Sequence, residues 1–259
     1  MLEDIKRIVR EAGKIMLQAD AIENEIESKQ GSANFVTKYD KEVQDFLFDQ
    51  LSALFPDAGF LGEEDLNKGD LKNSSCFIID PIDGTTNFIF DYKYSAISVA
   101  YRKDQEIYAG VVYNPYLDEL FYAQKGNGAF LNEKQLTIKN VALKDGIVGF
   151  GSTPYYRDKS KATFALVETL FANALDIRRS GSAALDLCSV AANRFTMFFE
   201  VLLSPWDYAA ASLIIEEAGG KVSTMERTKL PHLAPCSVIA ANPVVYEEFF
   251  QLKNNLIQT

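Results

Sequence analysis

Histidine and cysteine are scarce in this sequence, and their scarcity excludes several kinds of active site. The 259 residues include one histidine, His232, and three cysteines, none of them in a C-x-x-C pair. A zinc centre with two or three histidine ligands is therefore excluded. A Ser-His-Asp triad would have to use His232, and no G-x-S-x-G turn supplies its serine. Any active site must therefore use carboxylates, hydroxyls and amides, with or without oxygen-binding metal ions.

Positive charge is also in deficit, because 26 Lys and Arg residues stand against 36 Asp and Glu residues, a formal net charge of −10. An acidic chain repels nucleic-acid phosphates, and no Lys/Arg-rich run with interleaved aromatic residues offsets this. Direct nucleic-acid binding is therefore not expected, and anionic membranes are disfavoured for the same reason. A small anionic substrate is still compatible with this composition, provided that cations screen the acids.

Long apolar runs are missing as well. No stretch approaches the 18 apolar residues that a membrane-spanning helix needs. The first 14 residues place Glu3 and Asp4 ahead of any apolar run, so a secretion signal is not expected there. The odd number of dispersed cysteines is typical of reduced thiols. These features together predict a cytoplasmic protein.

The periodicity of the apolar residues predicts a mixed α/β fold of two halves. An amphipathic helix over residues 2–19 is followed by a polar loop at 28–34 and a second helix that ends at Pro56. A buried strand is predicted over Cys76–Ile79, stopping at Asp80. Antiparallel strands are then predicted over residues 95–101, 107–113, 117–123 and 129–132.

The second half alternates strands with helices. Strands are predicted over residues 147–150, 196–203, 222–224 and 237–241, and helices over 162–171, 181–194, 205–218 and 244–256. The change of character predicts a boundary near residue 145, between a first domain over 1–145 and a second over 146–259. No linker-like composition separates the two halves, so they are expected to pack tightly.

The segment Asp80–Asn87, D-P-I-D-G-T-T-N, is the strongest chemical signal in the chain. A buried strand delivers Asp80 to its carboxyl end, where ligands collect in α/β proteins. Pro81 stiffens the turn, so that Asp80, the Ile82 carbonyl and Asp83 can converge. Gly84 and Thr85 then open a helix, whose first N–H groups favour anions. Two carboxylates beside an anion site, without histidine, favour Mg²⁺ over Zn²⁺.

Each acidic motif also has a purely structural interpretation. D-x-x-D-G-T makes a good turn, and Glu63-Glu64-Asp65 is compatible with a solvated surface turn. Thr37-x-x-Asp40 and Ser204-Pro205-x-Asp207 are both typical helix starts.

Taken together, four motifs resemble those of the inositol monophosphatase family. They are GEED at 62–65, DPIDGTTNF at 80–88, GSAALDL at 181–187 and PWDYAAASLIIEEAGG at 205–220. They follow the family's order and approximate spacing and span nearly the whole chain. The two acidic motifs are those of the wider Mg²⁺-dependent, Li⁺-sensitive phosphatase superfamily. Thr86-Asn87 after DGT is similar to the inositol monophosphatase branch.

The resemblance implies a layered α-β-α-β-α sandwich, in which an antiparallel-sheet α+β half packs on an α/β half. It also implies a site for two Mg²⁺ ions. Glu63, Asp80 and the Ile82 carbonyl would bind the first ion, and Asp80, Asp83 and Asp207 the second. Glu63 would contact a third, weaker ion through water.

The resemblance further implies which residues handle water and substrate. Thr85, oriented by Asp40, would position and deprotonate the attacking water, and Glu63 would share in catalysis. The amides of Gly84 and Thr85 would bind the phosphate. Residues implied to contact the substrate are Asp83, Gly84, Thr85, Gly181, Ser182, Ala183, Glu200 and Asp207. Lys29 matches a loop lysine that folds over the site in relatives.

The implied activity is Mg²⁺-dependent hydrolysis of inositol monophosphate by a water that the metal ions activate. The same chemistry on the 2′-phosphate of NADP or on fructose 1,6-bisphosphate is an alternative. A further alternative is a protein whose main role is to bind a macromolecular partner. Relatives are commonly homodimers, so a homodimer is expected.

Overall fold

The computed structural model describes residues 1–20, 22, 26–28, 35–64, 67–68, 71 and 75–257. The predicted loop at 28–34, apart from Ser28, lies outside these residues, as do Lys29 within it and Asp65 of the GEED motif. Among the described residues, no helix has both the length and the apolar character needed to cross a membrane.

Seven helices and fifteen strands are found in the described residues. The helices are α1 (Leu2–Leu17), α2 (Lys38–Leu54), α3 (Thr85–Ile89), α4 (Ser160–Phe171), α5 (Ala183–Ala191), α6 (Pro205–Glu217) and α7 (Pro243–Ile257). The first strands are β1 (Ile26–Ser28), β2 (Phe35–Thr37), β3 (Gly59–Gly62), β4 (Asn67–Lys68), β5 (Cys76–Asp83), β6 (Ala96–Lys103), β7 (Glu106–Asn114) and β8 (Glu119–Gln124). The remaining strands are β9 (Ala129–Leu131), β10 (Lys134–Leu136), β11 (Ile147–Phe150), β12 (Asp176–Arg178), β13 (Met197–Leu203), β14 (Lys221–Ser223) and β15 (Cys236–Ala241).

The strands form one small and two large sheets. β1 and β2 make a two-stranded pair. The eight-stranded sheet has the order β10-β9-β8-β7-β6-β5-β3-β4, and only β3 and β5 run parallel in it. The five-stranded sheet has the order β12-β11-β13-β15-β14, in which β11 is parallel to both of its neighbours. Each of the two large sheets therefore mixes strand directions.

Three hydrophobic clusters arrange these elements in five layers. The first joins α1 and α2 to one face of the eight-stranded sheet, through residues such as Phe77 and Ile79 of β5. The second joins the opposite face, through Ile78, to α5, α6 and the inner face of the five-stranded sheet. The third covers the outer face of the five-stranded sheet with α4 and α7. The predicted α-β-α-β-α sandwich is confirmed.

Helix α6 lies between the two sheets and is apolar on almost every side, as a helix buried on both faces must be. Its small residues allow the backbone of β7 to come very close. A Cβ atom built on Gly110 of β7 would lie 3.0 Å from the Cα and carbonyl carbon of Ala210, and closer still to its carbonyl oxygen. Neither backbone can give way without moving a whole element.

We therefore expect Gly110→Ala to destabilise the protein by about 3 kcal/mol, the upper end of overpacking costs. For a chain of this size, the melting temperature should fall by about 6–12 °C. Tyr108→Thr is the matched control, because Tyr108 is a partly exposed residue of the same strand and both residues favour strands. Equal melting temperatures for Gly110→Ala and wild type would contradict this packing argument.

Most predicted elements match the structure to within a few residues. One boundary is wrong: β5 does not stop at Asp80 but continues through Pro81 to Asp83. The sequence analysis also missed β1, β2, β3, β4, β10 and β12, which are strands of two to four residues. Strands this short carry too few residues for an alternating pattern to show. The domain boundary near residue 145 stays a prediction.

Candidate active site

The extension of β5 beyond Asp80 creates the centre of the site. Asp80 pairs with Ser98 of β6, whereas Asp83 pairs with Ala96, so three steps along β5 match two steps along β6. Residues three apart in a regular strand point to opposite faces, and one extra residue restores them to the same face. Pro81 has no N–H to give to the ladder and so fits within such a bulge. The bulge thus turns Asp80 and Asp83 to the same side.

Asp207 reaches the same place from the first turn of α6. One of its carboxylate oxygens, Oδ2, accepts a hydrogen bond from the Ser204 backbone N–H at 2.7 Å, and Pro205 opens the helix. The predicted helix cap is therefore confirmed. The Ser98 hydroxyl of β6 donates to the Trp206 carbonyl at 3.0 Å and so ties this helix start to the large sheet. The sheet contact places Asp207 beside Asp80.

Asp80, Asp83 and Asp207 form a compact group of carboxylates, in which one oxygen of each lies within 4.8 Å of the others. Burial raises the pKa of Asp80 well above its ordinary value, and the nearby charges of Glu63, Asp83 and Asp207 raise it further. Burial, followed by the charges of Asp83 and Glu63, raises the pKa of Asp207 in the same way. Burial raises the pKa of Asp83 to about 6, against hydrogen bonds that lower it.

These shifts mean that the group holds more negative charge than the protein neutralises. Three carboxylates supply only hard oxygen donors, and hard divalent cations such as Mg²⁺ prefer such donors. The donor set therefore fits a bound Mg²⁺, and the geometry brings together three of the five predicted metal ligands.

The other two predicted ligands lie next to this group. Glu63 follows β3, and its backbone N–H donates to the Ile79 carbonyl of the parallel strand β5 at 3.2 Å. The two strand ends therefore meet, and the Glu63 carboxylate lies close enough to Asp80 to raise its pKa. The Ile82 carbonyl accepts a hydrogen bond from the Thr85 hydroxyl at 3.1 Å. A carbonyl oxygen has two lone pairs and can therefore take a second partner besides the Thr85 hydroxyl.

Thr85 and Asp40 meet as a buried pair beside the carboxylates. The Thr85 hydroxyl lies 3.2 Å from Asp40 Oδ1. Asp40 Oδ2 accepts from both the backbone N–H and the hydroxyl of Thr37, each at 2.6 Å, so Asp40 also completes the predicted start of α2. Burial raises the pKa of Asp40 to about 7, and the charges of Glu63 and Glu64 add to the effect. Asp40 is therefore suited to exchange a proton near neutral pH.

The predicted GSA segment lies against Asp83. The Ser182 hydroxyl donates to Asp83 Oδ2, and the Ala184 backbone N–H donates to the same oxygen at 2.9 Å. The Ala183 N–H donates to Asp83 Oδ1 at 3.2 Å. The start of α5 thus binds Asp83 itself. The predicted contact of residues 181–183 with the substrate alcohol stays a prediction.

A cavity of about 570 Å³ opens in front of these groups, and a recess of about 100 Å³ adjoins it. Gly84, in a left-handed conformation, and Thr85 line both at the start of α3. Glu200 also lines both and is buried, and its burial raises its pKa to about 7. Among the described residues that line either space, Arg179 is the only cation. A substrate anion therefore enters a strongly negative pocket.

Sequence reasoning gave no site role to several residues that line this space, among them Thr153, Tyr155, Arg179 and Asp186. Asp186 is buried, accepts a hydrogen bond from the Tyr94 hydroxyl at 3.2 Å, and has its pKa raised to about 7 by burial. Burial and the surrounding carboxylates raise the pKa of Tyr155. Asp186 lies within the GSAALDL motif and Arg179 lies two residues before it, and this position was the signal that could have identified them.

The layered sandwich and its acidic pocket, with carboxylates from β5 and α6, fit a phosphoric monoester hydrolase, and the family match establishes that class. The chain belongs to the inositol monophosphatase family, whose model matches residues 2–258. Among its relatives, the inositol-1-monophosphatase of Mesorhizobium japonicum is 38% identical over 222 residues, covering 84% of this chain and 82% of the relative. The Nus factor SuhB of Escherichia coli is 36% identical over 250 residues, covering 95% and 92%.

Solved structures agree with this assignment. The extragenic suppressor protein suhB of Bartonella henselae superposes with a TM-score of 0.91 at 32% identity, covering 96% of each chain. The structure of SaIMPase-II with bound 2′AMP superposes with a TM-score of 0.83 at 28% identity, covering 96% of this chain and 91% of that one. The second protein comes from Staphylococcus aureus. The family therefore includes proteins that bear different functional names.

Proposed function

We propose that this protein is a Mg²⁺-dependent phosphatase that hydrolyses inositol monophosphates. The observation that carries the proposal is the convergence of Asp80, Asp83 and Asp207 beside the Thr85–Asp40 pair. Glu63, Asp80 and the Ile82 carbonyl would hold one Mg²⁺, and Asp80, Asp83 and Asp207 a second. Glu63 would also reach a third ion through water. Bound Mg²⁺ supplies a lowered pKa for water and neutralises charge on the phosphate and the departing oxygen.

The chain's own groups handle the proton. The Thr85 hydroxyl has one hydrogen and lies within reach of Asp40 Oδ1 and the Ile82 carbonyl. When it donates to Asp40, its oxygen can accept a hydrogen bond from the attacking water. Asp40, with its pKa raised to about 7, then receives a proton through Thr85 at neutral pH.

The phosphate would lie at the start of α3, against the backbone N–H groups of Gly84 and Thr85. Groups at a helix start have no partner within the helix and are free for an anion. The alcohol would occupy the recess that Glu200, Arg179 and the 181–183 segment line. Glu200 and Asp186 supply carboxylate acceptors there, which suits an alcohol rich in hydroxyl groups.

A nucleoside 2′-phosphate such as NADP is a second candidate substrate. Tyr155, Tyr156 and Trp206 line the cavity and offer aromatic faces on which a base can stack. The 2′AMP bound to SaIMPase-II supports this candidate. Fructose 1,6-bisphosphate has less support, because a second phosphate would find Arg179 as its only cation among the described lining residues.

The test is phosphate release by the purified protein from inositol 1-phosphate, NADP and fructose 1,6-bisphosphate. Each is assayed with saturating Mg²⁺, with EDTA, and with Mg²⁺ plus Li⁺. We expect release that requires Mg²⁺, is inhibited by Li⁺, and is fastest with inositol 1-phosphate. No release from any of the three would reject the proposal in favour of a partner-binding protein. We also predict that the purified protein is a homodimer.

A further inference from the structure

Glu200 is held in place by the turn that follows β11. Strands β11 and β13 are parallel neighbours, with Phe150 paired to Phe199. The Gly151 N–H extends this ladder by donating to the Phe199 carbonyl at 2.9 Å. The turn over residues 151–153, Gly-Ser-Thr, therefore lies directly beside Glu200, the next residue of β13.

Thr153 uses both of its donors on a single oxygen of Glu200. Its backbone N–H donates to Oε1 at 2.7 Å, and its hydroxyl donates to the same atom at 3.3 Å. Thr153 does so from a left-handed backbone conformation, with φ of +46°, which a β-branched residue seldom adopts. Thr153 is only 3% exposed, so hydrogen bonds to solvent do not stabilise this conformation. The contacts with Glu200 offset the strain.

The Glu200 carboxylate occupies the space beside Gly151 that a side chain would need. A Cβ atom on Gly151 would approach both carboxylate oxygens more closely than real Cβ atoms do. The φ of Gly151 is not in the left-handed region, so the backbone itself would accept alanine. The conflict of an alanine at this position is therefore with the Glu200 carboxylate.

We propose that Gly151 and Thr153 are positioning residues, which fix the Glu200 carboxylate so that its second oxygen, Oε2, faces a hydroxyl of the leaving alcohol. This inference rests on the proposed function, in which the alcohol occupies the recess. Thr153 satisfies Oε1, and within the described part of the chain no hydrogen-bond donor reaches Oε2. The Gly151–Thr153 turn therefore governs recognition of the alcohol and leaves the hydrolysis of the phosphate ester unaffected.

Two substrates separate these roles: inositol 1-phosphate, and p-nitrophenyl phosphate, whose leaving group has no other hydroxyl. Gly151→Ala is expected to raise KM for inositol 1-phosphate roughly tenfold, the loss of about one hydrogen bond. Its kcat/KM for p-nitrophenyl phosphate should stay close to wild type. Thr153→Val, which loses the hydroxyl donor, should also raise KM for inositol 1-phosphate. Thr153→Ser, which keeps both donors, should behave like wild type. Ser152→Ala is the control within the same turn.

A double-mutant cycle tests whether Gly151 acts through Glu200. If it does, adding Gly151→Ala to Glu200→Ala should cost nothing further, in either KM for inositol 1-phosphate or melting temperature. Three results would each overturn the positioning role. They are additive effects in the cycle, an unchanged KM for inositol 1-phosphate in Gly151→Ala, and equal losses of kcat/KM with both substrates. If the wild-type protein hydrolyses neither substrate with Mg²⁺, the proposed function is wrong, and so is the proposed recognition of the alcohol. The melting temperatures of the cycle still report whether Gly151 and Glu200 are coupled.

Discussion

Asp80→Asn is expected to abolish Mg²⁺-dependent phosphate release while the protein remains folded. Asp80 is a shared member of both proposed metal sites and lies within 4.8 Å of Asp83 and Asp207. Losing a metal site removes several kcal/mol of transition-state stabilisation, so activity should fall by about three orders of magnitude or more. The substitution keeps the size of the side chain and removes one of several mutually repelling charges. The substitution should therefore increase the stability of the folded protein when metal is absent.

The measurement is kcat/KM for inositol 1-phosphate, with circular dichroism to verify the fold. Glu64→Gln is the matched control, because it removes a negative charge beside Glu63 at a position with no proposed ligand role. It should keep activity close to wild type. Near-normal turnover by Asp80→Asn would refute the metal-centred mechanism.

The second large effect is a dependence of stability on pH that Mg²⁺ removes. Burial raises the pKa of Asp83 to about 6, and those of Asp40, Asp186 and Glu200 to about 7. The folded chain therefore binds more protons than the unfolded chain between about pH 4 and pH 7. Stability falls as pH rises wherever the folded state binds more protons. In EDTA, the melting temperature should accordingly fall between pH 5 and pH 8.

Mg²⁺ should reverse this loss, because a bound cation replaces the missing protons. A ligand at 100 times its Kd stabilises by roughly 2.7 kcal/mol. For a protein of this size, that corresponds to a rise in melting temperature of about 5–10 °C at pH 8. Asp80→Asn should be more stable than wild type in EDTA at pH 8 and should respond little to Mg²⁺. A melting temperature that is constant or increasing from pH 5 to pH 8 in EDTA would show that the carboxylates are compensated within the protein.

The capping motifs show how far local sequence can predict a site. Thr37 with Asp40, and Ser204 with Asp207, were predicted as helix starts, and both make the expected hydrogen bonds. A cap depends on residues three apart in the chain, so its chemistry is readable from the sequence. The same residues were assigned to the site only through the family resemblance, because a cap motif does not reveal what its helix start faces.

The turn at Thr153 shows the opposite case. Nothing in Gly-Ser-Thr predicts a left-handed threonine, because the reason for it is the Glu200 carboxylate on another strand. The strand boundary at Asp80 failed for a related reason. Proline usually ends a strand, but here pairing with β6 continues past Pro81 as a bulge. Both features arise from neighbours that are distant in the sequence.

The sequence by itself determined the alternation of helices and strands, the absence of histidine-based chemistry, and the acidic motifs that could bind Mg²⁺. These depend on residue types and short spacings, which local physical chemistry controls. Only the tertiary structure decided that Asp80, Asp83 and Asp207 share one point, that Thr85 contacts Asp40, and that Glu200 is held by Thr153. Such contacts come from the packing of α6 between two sheets and from strands that pair across long stretches of chain, and no local pattern encodes those distances.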